Sequence, residues 1–109
     1  MANTFKLKSK QNIGVSTVGI YTVPASTTTV IIGVTAANVS GQGINVGIGI
    51  SRATNGDDIN ILKNVPIPQG SALEIMQGNK IVVEAADTVT AKSDGNSTLD
   101  VALTIMEIT

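Results

Sequence analysis

From Ile44 to Ser51 the sequence alternates without a fault. Ile44, Val46, Ile48 and Ile50 fall on one side, and Asn45, Gly47, Gly49 and Ser51 on the other. Successive side chains point to opposite faces only in an extended strand, so this stretch specifies a β-strand with one buried face. A helix would smear the same residues around its circumference. The pattern recurs through most of the chain and decides the fold class.

Phe5, Leu7 and Ser9 alternate with Lys6, Lys8 and Lys10. This predicts a strand with a basic outer face, either an edge strand guarded by lysines or an arm that adds to a neighbouring subunit. Val15–Val23 predicts a second strand, ended by Pro24. Thr28–Val39 predicts the longest, with Val30, Ile32, Val34 and Ala36 on one side and Thr29, Ile31, Gly33 and Thr35 on the other. After the Ser40–Gly43 turn comes the Ile44–Arg52 strand. Asn55-Gly56 tolerates positive φ and signals a hairpin into Ile59–Val65. Pro66 and Pro68 straddle Ile67 and predict a stiff connector, because neither nitrogen donates to a ladder. Short strands follow at Ala72–Met76 and Lys80–Ala85 around a Gln77-Gly78-Asn79 turn, then Thr88–Lys92. The last strand, Leu99–Glu107, aims Leu99, Val101, Leu103 and Ile105 one way. The expected fold is all-β: a single antiparallel β-sandwich or jelly roll of eight to nine strands with no substantial helix. Residues 1–10 form an N-terminal arm or edge strand, and residues 11–109 the sandwich domain.

Composition narrows the function. Only 2% of the 109 residues are aromatic, so the core must be aliphatic. A net charge of −1 and two aromatic rings offer neither a field for phosphates nor platforms for bases, which argues against nucleic acid. No apolar run approaches the ~18 residues of a membrane span, and the N-terminus lacks the apolar stretch of a signal peptide. Synthesis in the cytoplasm follows as the expectation, and the sequons at Asn38 and Asn96 are then accidental.

The chain lacks cysteine and histidine, which removes thiolate chemistry and the commonest general base and metal ligand. Gly47-Ile48-Gly49 opens like a dinucleotide loop, but Arg52 takes the place of the third glycine and the segment reads as strand. Asp57-Asp58 and Asp94-Gly95-Asn96 could donate oxygens to calcium, yet neither has the spacing of a calcium loop and both read as turns. Asp87 and Lys63 read as surface residues. No enzyme, no cofactor and no metal site is expected.

The succession Tyr21-Thr22-Val23-Pro24, Ala37-Asn38-Val39-Ser40, Leu62–Ser71, Asn79–Asp87 and Leu99–Ile108 resembles small β-sandwich virion proteins of tailed bacteriophages, of the capsid decoration (cement) type. The likeness runs from about Tyr21 to the C-terminus. Ala86 departs from it, since such proteins carry glycine before the aspartate, and the turn geometry there is in question.

The resemblance implies a structural component of the virion. As cement, the protein would bind the outside of the mature shell and bridge capsid subunits, as a homo-oligomer with a trimer favoured. Its partners would be the major capsid protein or another virion protein, with no nucleic acid and no membrane. Asn3, Thr4, Phe5, Lys6, Lys8 and Lys10 are the candidate shell contact, with the lysines facing acidic capsid surface. The alternatives are a subunit of the neck, tail or fibres, or a glycan- or receptor-binding module.

Overall fold

The computed structural model describes residues 3–53, 56, 58–75 and 80–109. Nine strands run in chain order: β1 (Asn3–Ile13), β2 (Val18–Thr22), β3 (Thr28–Asn38), β4 (Ile44–Ser51), β5 (Asp58–Ile67), β6 (Ala72–Glu74), β7 (Ile81–Val83), β8 (Thr88–Ser93) and β9 (Leu99–Ile108). Among the described residues there is no helix. One sheet is ordered β1-β9-β3-β6, with β7 also on β3, and the other β2-β8-β4-β5. All pairings are antiparallel. The chain crosses between the sheets at every step except the β4–β5 and β6–β7 connections. That is the jelly-roll order, with first and last strands adjacent and Asn3 opposite Ile108.

β6 and β7 pair with different stretches of the same strand, at Thr35–Ala37 and Thr29–Ile31 of β3. Together they form one interrupted edge. The expected turn at Gln77–Asn79 lies outside the described residues, as does Asn55 of the expected hairpin. Gly56 has the positive φ of +70° that such a turn needs, and its amide donates to Arg52 O at 3.0 Å.

The core is aliphatic. Ile31, Val34, Val89, Ala91, Leu99, Leu103 and Ile105 are completely buried, and Tyr21 is the aromatic that joins them. β4 and β9 keep the alternation read from sequence. β3 does not. Thr29 and Ile31 face inward, then Val34, Ala36 and Asn38, because a bulge between Ile31 and Gly33 inserts one residue and reverses the phase. A uniform period of two put Val30 and Ile32 in the wrong company.

Strand boundaries also move: β1 runs on to Ile13, and β7 is confined to Ile81–Val83. β2 begins at Val18, leaving Val15 exposed in the preceding loop. β5 runs through Pro66, which stands opposite Asn45, so the predicted connector is partly strand. Proline is tolerated there because β5 is the outer strand of its sheet.

Two buried polar residues close the loops. Asn38 donates through Nδ2 to the carbonyls of Gln42, Ile67 and Pro68 and accepts from the Ser40 amide and hydroxyl. Its amide nitrogen is thus committed inside the fold, leaving the Asn38-Val39-Ser40 sequon without a free acceptor.

Asp87, read from sequence as a surface residue, has no exposed area. Its carboxylate accepts from the amides of Ala53 and Glu84, both at 3.0 Å. Arg52 Nε lies 2.8 Å from Asp87 Oδ2 as an ion pair, its N–H aimed off the line to the oxygen. Arg52 also pairs with the exposed Glu84. Burial pushes the Asp87 carboxyl upward, but the two amides and the arginine outweigh it and hold its pKa below the usual value. Ala86, just before it, carries φ = +72°. That left-handed conformation is the one a glycine would supply without strain, so the turn keeps the geometry expected of a glycine while alanine occupies it.

Candidate interaction surface

β1 forms the outer edge of the five-stranded sheet and pairs along its length with β9, from Asn3 opposite Ile108 to Lys10 opposite Val101. Every residue from Asn3 to Asn12 except Lys8 is exposed, and Ile13 anchors the strand in the core. A bulge between Lys10 and Ile13, with Asn12 at φ = 56°, bends the strand before that anchor. The Asn12 amide donates to Asp100 Oδ1 at 2.9 Å.

The faces of β1 are the reverse of those expected. Residues opposite one another in an antiparallel ladder share a face, and Lys6, Lys8 and Lys10 stand opposite the buried Ile105, Leu103 and Val101. The lysines therefore hang over the open side of the sandwich. Asn3, Phe5, Leu7 and Ser9 point away from it, leaving Phe5 70% and Leu7 68% exposed. The register with β9 fixes this, because β9 must bury Leu99 through Ile105 and β1 has no core of its own to satisfy.

The lysines meet a buried carboxylate. Glu107 continues the inward phase of β9 and is itself buried. Lys6 Nζ lies 2.7 Å from its Oε1, and the Tyr21 hydroxyl donates to its Oε2 at 2.5 Å. With its one proton so used, Tyr21 accepts from the Thr29 hydroxyl at 2.8 Å. Lys8 Nζ stands 5.8 Å from the Tyr21 ring centroid, a cation–π contact. The bond from Lys6, then that from Tyr21, outweighs burial and holds Glu107 below its ordinary pKa. Burial first, then Glu107, pushes the Tyr21 hydroxyl up to about 12. The group ties β1 to both sheets, and its members are committed to one another.

The sequence signalled half of this. Glu107 lies in phase with Leu99, Val101, Leu103 and Ile105, so its inward direction was readable. Its partners, Lys6 and Tyr21, come from two other strands and were not.

The outer face of the five-stranded sheet is apolar at one end. Register sets Phe5, Met106, Val30 and Val82 in one row across four strands. Further along the same strands the row is Ser9, Ala102 and Thr35, over a hollow of about 490 Å³. A second hollow, of about 340 Å³, lies on the other sheet over Gly47 and Gly49, with Asn60, Asn64, Thr90 and Lys92 around it and no aromatic ring.

No three metal-ligating side chains converge among the described residues. Of the loops weighed for calcium, Asp57 lies outside the described residues. Asp94 Oδ1 accepts the Asn45 amide at 3.0 Å, bracing the loop before β4.

No family model and no curated protein matches the sequence. Solved structures do match it in fold. One is the subunit of the Bacillus endospore appendages, described as a novel family of disulfide-linked pili: TM-score 0.59, 14% identity, 99% of this chain and 87% of that one. Another is a chain of the acidic stable capsid of Helicobacter pylori bacteriophage KHP30: TM-score 0.58, 9% identity, 100% of this chain and 94% of that one. A third comes from the T13 particle of infectious bursal disease virus, at TM-score 0.59 and 10% identity; this chain spans only 30% of its length. At these identities the likeness is one of fold. The chain has the jelly roll found in capsid and pilus subunits.

Proposed function

We propose that the chain is a structural protein of a bacteriophage particle, a capsid decoration protein that binds the outside of the mature shell and bridges neighbouring capsid subunits. The observation that carries this reading is β1. Its backbone is fixed by β9, while its outer edge and the side chains of Phe5 and Leu7 are offered to solvent. The fold likeness to a phage capsid chain over nearly the whole of both chains supports it, as does the resemblance of the segments from Tyr21 onward.

In this reading Asn3, Thr4, Phe5, Lys6, Lys8 and Lys10 form the shell contact. The free edge of β1 pairs with an extended segment of the major capsid protein, and Lys10, exposed and in no ion pair among the described residues, meets acidic surface. A homo-oligomer, with the trimer favoured, repeats the contact and adds avidity. Binding only the mature lattice stabilises that lattice by mass action.

The test is the copy number in purified particles by quantitative mass spectrometry, against the major capsid protein. A ratio of one or a simple fraction supports decoration; a few per cent moves the protein to neck, tail or fibre; absence overturns the reading. Truncating β1 would leave Glu107 buried without Lys6, and Lys8 also faces that group, so the contact is better tested by Lys10→Glu. This variant should fold and weaken shell binding, and undiminished binding would remove Lys10 from the interface.

A further inference from the structure

The apolar end and the hollow end of the outer sheet face lie along the same strands. The apolar row is Phe5–Met106–Val30, with Phe5 exposed and the other two half-buried, and the row Ser9–Ala102–Thr35 lies over the hollow of about 490 Å³. Between them runs a row through Leu7, Thr104 and Gly33. We propose that this face pairs with a second copy of itself about a two-fold axis that crosses the strands at Thr104.

That rotation exchanges the two rows. Phe5 of one copy comes over Ser9 of the other and Met106 over Ala102, each a large side chain above a small one, and Val30 comes over Thr35, a side chain of its own size. Because the contact is isologous, both hollows fill at once and the assembly closes. A different protein would have to carry both the matching apolar row and the matching hollow at the same spacing; a second copy carries them by construction.

Across β1, β9 and β3 the three rows contain no charge. On the fourth strand Glu74 stands opposite Thr35 and lies under Val82 of the other copy, its carboxylate turned to the Val34 amide and the Thr35 hydroxyl. The acidic groups beside the hollow already have partners: Asp100 accepts the Asn12 amide, and Glu74 the Thr35 hydroxyl at 2.7 Å. The size is also sufficient. Ten residues of β9 at about 3.3 Å each and four strands at about 4.8 Å give a face of roughly 600 Å². Two such faces bury about 1,200 Å², the lower bound for a stable specific interface. Phe5 and Met106 then act as anchors of the kind that dominate such contacts.

The pairing covers Phe5, which the proposed shell contact also uses, so a copy bound to the shell through Phe5 would have to leave the pair. The pairing is read on the free protein, where its failure is distinct from a failure to bind the shell. Thr104 is exposed, so charging it leaves the fold intact. Light scattering on the intact chain should give an even number of copies: two, or six if a trimer is the repeating unit. Thr104→Arg and Thr104→Glu should each halve that mass, since each charge meets its own copy on the axis. Mixing the two variants in equal amounts should restore it. Phe5→Ser should also halve it. The proposal is overturned by a single chain or an odd assembly persisting at concentrations up to ~1 mM, where even a contact of about −4 kcal/mol would register. An unchanged mass in the Thr104 variants, or a mixture that fails to recover, would overturn it too.

Discussion

The Tyr21 hydroxyl donates to the Glu107 carboxylate across the gap between the two sheets, 2.5 Å from a residue 86 positions away in sequence. Lys6 holds the other oxygen of the same carboxylate from the outermost strand. One buried glutamate thereby joins β2, β9 and β1, at the end of the sandwich where aliphatic packing gives out.

This bond is visible by spectroscopy. Tyr21 is the one tyrosine in a chain without tryptophan, so the phenolate absorbance reports it alone. Its titration should centre near 12 instead of 10, and Glu107→Gln should move it back toward 10. Because the folded pKa is raised, the associated stability is complete below pH 10 and disappears as the pH climbs toward 12. A midpoint near 10 in the native protein would contradict the bond.

At the acid end the sign reverses. Asp87 and Glu107 are held below their ordinary values of 3.8 and 4.5, so their contribution is present above those values and lost as the pH falls through the depressed ones. With no histidine, urea midpoints should be level from neutral pH to about 5 and drop below about 4. Asp87→Ala should cost about 3–5 kcal/mol near neutrality, since it strands Arg52 and two amides, and should flatten the acid decline.

Ala86→Gly should stabilise the protein. A left-handed alanine costs about 1–2 kcal/mol, and the added freedom of glycine in the unfolded chain returns part of this, leaving a gain of about 0.5–1 kcal/mol. Thermal melts should show a rise of several degrees. A fall in the melting temperature would mean that the turn is unstrained.

Gly47 and Gly49 look alike in sequence but differ in tolerance. A Cβ on Gly49 would fall 2.5 Å from Ile59 O, whereas on Gly47 the nearest atom is Leu62 O at 3.6 Å. Gly49→Ala should therefore cost about 1–3 kcal/mol, while Gly47→Ala should be nearly neutral in denaturant unfolding. Equal losses would mean that β5 gives way at both positions.

That pair also shows what alternation conveys. The period of two in Ile44–Ser51 and Leu99–Glu107 gave the strands, their buried faces and the aliphatic core. It carries no trace of a bulge, which is why the phase of β3 beyond Ile31 was missed. It is equally silent on who pairs with whom. Pro66 is admissible only because β5 is an edge, and Asp87 is buried only because Arg52 and Ala53 arrive from another loop. β1 misled most: lysines beside Phe5 and Leu7 suggest a polar exterior, but the register with β9 turns them inward. The candidate surface was therefore legible as a segment and illegible as a face.

Asn3 stands opposite Ile108 in the outer ladder, which places the two ends of the described chain at one corner of the sandwich. The fold is in effect a ring of strands with a seam at that corner. A short linker across the seam would allow the chain to be reopened elsewhere, for example at Gly41, in the exposed turn before β4 where no atom crowds the backbone. Strand order in the sheets would survive that permutation, while the β1 edge would lose its free end and become part of a continuous hairpin with β9.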